Sequence, residues 1–369
     1  MMIPTPRNIR DAAANATHLI RYGRLADLRS MPVEPIDEGF QHPVFRYRPS
    51  KTVIPTGPPV LLVPPPTASA SSAFDLRRGC SLAEHLVSTG RRVYLLDYEQ
   101  TFTDRDLGLD HWIGEVLPKT IRKVSADAGG QPVQLVGWCV GGILSLLTTA
   151  ADQELPIASI TAIAAPVDFS GLRQTGAPQS PPGLTGTEAG LPALLGGIAQ
   201  SLAGHGYRLL GIDKYLVRPF VVLTNLDNAD FLAHTEAVDI FTGRLPAYSS
   251  RTVGQMRRLF FRKNDLAKGA VAVSGKRVLL ADVKVPVLVI AGRADEITPW
   301  QAVHLLTRLL TGSSEVRFET APGDHLGVLT GRTARATTWG SLDRWLDAGS
   351  VKHGLRAPKR DRKVTASRP

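Results

Sequence analysis

At 369 residues the chain is long enough for one large core with an insertion, or for two domains. Its 43% hydrophobic and 21% charged residues suit a globular protein; no apolar run could span a bilayer, and residues 1–7 lack the apolar stretch of a signal peptide. Two cysteines, Cys80 and Cys139, exclude a disulfide framework and fit a reducing compartment, so a cytoplasmic location is expected.

Residues 7–30 carry Ala12, Ala16, Leu19, Ile20, Leu25 and Leu28 near helical spacing, and 1–41 is read as an N-terminal helical segment. Residues 42–49 alternate like an edge strand. Residues 60–63 (VLLV) form the continuous apolar run of a strand buried on both faces. Three prolines and a small-residue loop follow. Ser81 is placed to cap a helix running through Leu86, and Gly90 to end it. Next come a strand over 92–97, a helix around 111–124, a strand over 131–136, a helix from 143 and a strand over 157–164. This rhythm predicts an α/β fold, with a mostly parallel central sheet and helices on both faces, whose first part is 42–170. Residues 171–195 are rich in Gly, Pro, Thr and Ser, a mobile connection. Helical pieces alone follow, at 194–202, 215–223, 229–238 and 252–261. Residues 171–275 therefore read as a mainly helical insertion, which in this fold class usually caps the C-terminal ends of the strands. The alternative is a separate helical domain with no part in the chemistry. The β-rhythm resumes at 285–290, and 276–347 is the second part of the core. The net charge of +10 gathers at the end, where 348–369 reads as a basic, disordered tail. Such a tail is a solvated end or a contact for anionic surfaces. No zinc spacing, phosphate loop or nucleic-acid module appears, so no metal and no specific nucleic-acid partner is expected.

The chemistry centres on Gly137-Trp138-Cys139-Val140-Gly141-Gly142, between the strand over 131–136 and the helix from 143. Strand, tight turn and helix with a nucleophilic side chain at the apex is the nucleophile elbow of the α/β-hydrolases, written here G-x-C-x-G. Without that context Cys139 would be a small buried core residue. A thiol nucleophile needs a base and a group to orient the base, and in this fold the chain order is nucleophile, acid, histidine. Asp295, on the loop after the strand over 285–290, is the expected acid, with Glu296 as its local rival. His325, on the loop after the strand over 315–320, is the expected base. His304 reads as surface or packing, while His205 and His234 lie in the insertion with no spacing rule to place them. The oxyanion hole is expected to use the N–H of Val140 and one from the loop after 60–63. Pro64, Pro65 and Pro66 have no N–H, which leaves Thr67 or a residue shortly after it.

With these pieces the chain resembles the polyhydroxyalkanoate synthases over about 42–346. The resemblance is carried by VYLLDY (93–98), VGWCVGG (136–142), APVDFS (165–170), GRADEITP (292–299) and GDHLG (323–327). It implies an α/β-hydrolase fold with Cys139 as nucleophile, His325 as base and Asp295 as acid. It also implies acyl transfer from a 3-hydroxyacyl-CoA to the cysteine and on to a polyester hydroxyl, with the CoA thioester as substrate and no cofactor. The length is similar to the shorter catalytic subunits, which implies a second synthase subunit or a homodimer and action at a polyester granule surface. Glu296 stands where that family commonly has His, and Ala68-Ser69-Ala70-Ser71 where it commonly has Asn with aromatic neighbours. The other readings are a cysteine-nucleophile hydrolase (a thioesterase, or one similar to dienelactone hydrolase) and a non-enzymatic granule protein. A basic cluster in the insertion (Arg251, Arg257, Arg258, Arg262 and Lys263) suits the phosphates of CoA.

Overall fold

The computed structural model describes residues 5–36, 44–49, 53–67, 70–98, 107–170, 222–243 and 249–352. The connection at 171–195, the helix expected at 194–202, most of that at 215–223, His205 and the tail beyond 352 lie outside the described residues.

Ten strands are described: β1 (Val33–Pro35), β2 (Val44–Tyr47), β3 (Val60–Val63), β4 (Val93–Leu96), β5 (Val133–Trp138), β6 (Ile157–Ile163), β7 (Ala270–Val273), β8 (Lys276–Leu279), β9 (Val287–Gly292) and β10 (Val316–Ala321). Eight of them form one sheet in the order β1-β2-β4-β3-β5-β6-β9-β10. Pairing is parallel from β4 through β10 and antiparallel at β1–β2 and β2–β4. This is the mostly parallel sheet of an α/β-hydrolase fold. The helices that position the site are α1 (Pro6–Tyr22), α2 (Leu82–Ser88), α3 (Leu117–Asp127), α4 (Val140–Ala151), α5 (Ala229–Gly243), α6 (Ser250–Met256) and α7 (Thr338–Lys352).

The period of two along each strand divides the core. Leu61 and Val63 point to one face, where they pack with Ile121 of α3 and Leu144 and Leu147 of α4. Val60 and Leu62 point to the other, with Leu82 and Leu86 of α2 and Leu342 and Leu346 of α7. All of these side chains are fully buried, each stabilising the fold by about 1.5–3 kcal/mol relative to exposure. The predicted Ser81 cap is present, its hydroxyl accepting the Glu84 N–H at 3.0 Å.

Several expectations need correction. The N-terminal helix ends at Tyr22, because Gly23 takes a left-handed conformation (φ 72°) and turns the chain. Beyond it the N-terminal segment supplies β1, which is the edge strand; β2 lies between β1 and β4. Three residues ending in a proline leave no alternation to read, and only an edge tolerates that proline. The boundary drawn at 275/276 falls in the turn of a hairpin, β7–β8, that stands apart from the main sheet. The boundary drawn at 347/348 falls inside α7, which runs on to Lys352. Among the described residues no helix is long and apolar enough to cross a membrane.

Candidate active site

Cys139 sits at the turn between β5 and α4 with φ 54° and ψ −124°, a conformation that is strained for any residue with a side chain. The turn survives because its neighbours are glycines. A Cβ on Gly141 would lie 2.1 Å from the Val63 carbonyl oxygen, and one on Gly137 would lie 2.6 Å from the Gly142 Cα. α4 can therefore start against the end of β3, and Cys139 is held at the seam between the two buried clusters. As the first helical residues, Val140 and Gly141 have N–H groups with no acceptor inside the helix.

The loop after β9 brings in Asp295. Its Oδ1 accepts the backbone N–H of Ile297 at 3.0 Å and of Thr298 at 2.8 Å, and its Oδ2 accepts the Thr298 hydroxyl at 2.6 Å. The same Oδ2 lies 2.8 Å from Nδ1 of His325, which arrives on the loop after β10. Asp295 and His325 are 5% and 2% exposed, whereas Glu296 is exposed; burial separates the two rival carboxylates. Cys139 lies near enough to His325 to interact with it electrostatically. Burial alone would depress the imidazole, but the Asp295 carboxylate and Cys139 outweigh it and hold His325 well above the usual histidine range.

Cys139, His325 and Asp295 thus meet from three loops at the C-terminal ends of parallel strands. Thr67 lies on the neighbouring loop after β3, but its N–H donates to the Pro65 carbonyl at 2.7 Å and is engaged within the loop. The next residues, 68 and 69, lie outside the described residues. His304 packs edge-on against Phe318, with ring centroids 4.7 Å apart, as a packing residue does.

Two contributors did not stand out in the sequence. Trp138 donates its indole N–H to the His325 carbonyl at 3.0 Å, and its ring lies 5.2 Å from the imidazole. Thr298 ties Asp295 to the loop, and its hydroxyl is also 3.2 Å from His325 Nδ1. A hydroxyl residue three positions after an Asp is the available signal for such a turn. The described part of the insertion reaches this wall as well: Phe241 of α5 lies 6.4 Å from Trp138, in the same buried cluster. α5 is moored by Glu236, which accepts the N–H groups of Leu25 and Ala26, and by Asp230, paired with Arg77 at 2.6 Å. His234, also on α5, is pulled below the ordinary histidine value by burial and by Arg77.

No family model matches the chain. Among curated proteins it is 23% identical over 285 residues to the poly(3-hydroxyalkanoate) polymerase subunit PhaC of Haloarcula marismortui, covering 75% of this chain and 58% of that one. The same subunit of Cupriavidus necator is 26% identical over 343 residues, 86% of this chain and 55% of its own. The chain is a relative of the poly(3-hydroxyalkanoate) polymerase subunits. It spans a little over half the length of those two relatives, and 76% of the PhaC subunit of Allochromatium vinosum, to which it is 25% identical. Among solved structures, an α/β hydrolase fold protein from Nakamurella multipartita aligns over 86% of this chain and all of its own at 17% identity, with a TM-score of 0.46. The fold assignment rests instead on the strand order and the elbow.

Proposed function

We propose that this chain is a polyhydroxyalkanoate synthase-like acyltransferase in which Cys139 is the nucleophile, His325 the proton carrier and Asp295 the orienting carboxylate. The observation that carries the reading is His325, bonded through Nδ1 to buried Asp295 and lying near a cysteine at the apex of the elbow, in a chain similar to the polymerase subunits.

In the proposed reaction the Cys139 sulfur attacks the thioester carbonyl of a 3-hydroxyacyl-CoA, and its proton resides on His325. Negative charge develops on the carbonyl oxygen, and the Val140 N–H would receive it. A second donor would come from the loop after β3, beyond Thr67. The intermediate collapses by breaking the bond to the CoA sulfur, which leaves as a thiol with the proton from His325. The acyl group is now a thioester on Cys139 and remains activated. A hydroxyl of the growing chain gives its proton to His325 and attacks the carbonyl, forming the ester and releasing Cys139. Asp295 holds the Nδ1–H throughout, which keeps the other ring nitrogen toward the sulfur. The acyl group is carried by the cysteine itself, so no step calls for a cofactor. The insertion, with α5 against Trp138, forms one wall of the acyl site in this reading. A second subunit or a second copy, and the surface of the polyester, are its proposed partners.

The experiment is incubation with 3-hydroxybutyryl-CoA, with and without a co-expressed candidate subunit, following thiol release and products together. Synthase activity gives CoA release with insoluble ester-linked polymer. Free 3-hydroxybutyrate formed one-for-one with CoA under every condition would place the chain with the cysteine-nucleophile hydrolases.

A further inference from the structure

The residue that precedes the candidate nucleophile touches the candidate base. Trp138 closes β5, and the strand period turns its side chain, with that of Val136, into the buried cluster that also holds Phe241. There it is 2% exposed, and its indole N–H donates to the His325 carbonyl at 3.0 Å. This bond joins the elbow to the loop after β10 through atoms that take no part in the proposed proton transfer.

The two rings also meet. Their centroids are 5.2 Å apart, with planes inclined by 36°. A cation within about 6 Å of an indole centroid is attracted by the ring face, and more strongly where water is excluded. Three other described histidines lie near an indole. His111 and His304 meet Trp112 and Trp300 closer to edge-on, at 70° and 74°. His85 lies on Trp339 at 32°, but its side chain is 25% exposed. Among the described residues, His325 is thus the histidine that meets an indole face out of water. The indole is itself held, since buried Phe241 of α5 packs against it at 6.4 Å between centroids.

We propose that Trp138 is a positioning residue for His325. Its N–H fixes the main chain of the base relative to the elbow, and its ring face favours the imidazolium over the neutral ring. The catalytic consequence rests on the role proposed above for Cys139; the contact with His325 does not. The titratable groups acting on the imidazole are Asp295 and Cys139. Asp324, next along the chain, instead accepts the Gly327 N–H at 2.6 Å. Trp138 adds to Asp295 a contribution that carries no net charge.

The test reads the His325 ring directly, by NMR of the full chain with isotope-labelled histidine, its signal assigned by loss in His325→Gln. Replacing tryptophan by tetrafluorotryptophan removes the negative potential of the ring face and keeps its shape and its N–H. The titration midpoint of His325 should then fall by about half a unit to one unit. Trp138→Phe keeps an aromatic face and loses the N–H. Its midpoint should stay near that of the unmodified protein, while kcat for CoA release falls roughly fivefold at unchanged KM. Trp138→Leu, with melting followed in parallel, should show both losses. A midpoint unmoved or raised by fluorination would overturn the proposal, because a tryptophan that only fills space keeps its shape. Full kcat in Trp138→Phe would overturn it as well. If the unmodified protein releases no CoA, the acyltransferase reading fails, and the midpoint still decides the role of Trp138.

Discussion

Two histidine–carboxylate pairs in this molecule have the same length and different surroundings. His325 and Asp295 are 2.8 Å apart with side chains 3% and 0% exposed. His85 and Asp343, which join α2 to α7, are also 2.8 Å apart, but each side chain is 25% exposed. The outer pair uses Nε2 of its histidine, which packs on Trp339 with ring centroids 5.0 Å apart. The inner pair uses Nδ1, which leaves the other ring nitrogen unused by Asp295. Hydrogen-bond length therefore does not mark a reactive histidine. In the proposed function the marks are burial, the choice of ring nitrogen and a strained thiol near the ring.

The largest effect expected from breaking that contrast is at the inner pair. Cys139→Ala and His325→Gln should each lower thioester turnover on the order of 10⁴-fold or more, measured by CoA release. His85→Gln should leave turnover unchanged and lower stability by at most about 1 kcal/mol. Comparable losses at His85 and His325 would remove the distinction.

A smaller loss is expected at the carboxylate. Asp295→Asn should cost about 10²- to 10⁴-fold in kcat, because the amide cannot hold the charged imidazole in place. Glu296→Gln should stay close to the unmodified protein. Thr298→Val should fall between them, losing about 1 kcal/mol of stabilisation, roughly fivefold in rate. A larger loss at Glu296 than at Asp295 would reassign the acid.

The smallest effect is on stability. The folded value of His325 lies above its unfolded value of about 6.5, so the inner pair stabilises fully below that pH. The contribution is lost as pH rises through the folded value. Urea unfolding should therefore show the gap between the protein and its His325→Gln variant widest near pH 6 and shrinking as pH climbs. A gap that grows with pH would mean that His325 is held neutral.

By itself the sequence determined the elbow, the parallel rhythm and the order of Cys139, Asp295 and His325. These are local patterns, set by steric demands within a few residues or by apolar runs that admit one burial. The placement of β1 at the edge and the hairpin β7–β8 were decided by the tertiary structure. Short strands and irregular turns draw their stability from distant neighbours, and no window of sequence holds those neighbours. The same is true of the choice between Asp295 and Glu296. Adjacent carboxylates are chemically alike in the chain, and only the closing of the β9 and β10 loops buries Asp295 against His325 and leaves Glu296 in water.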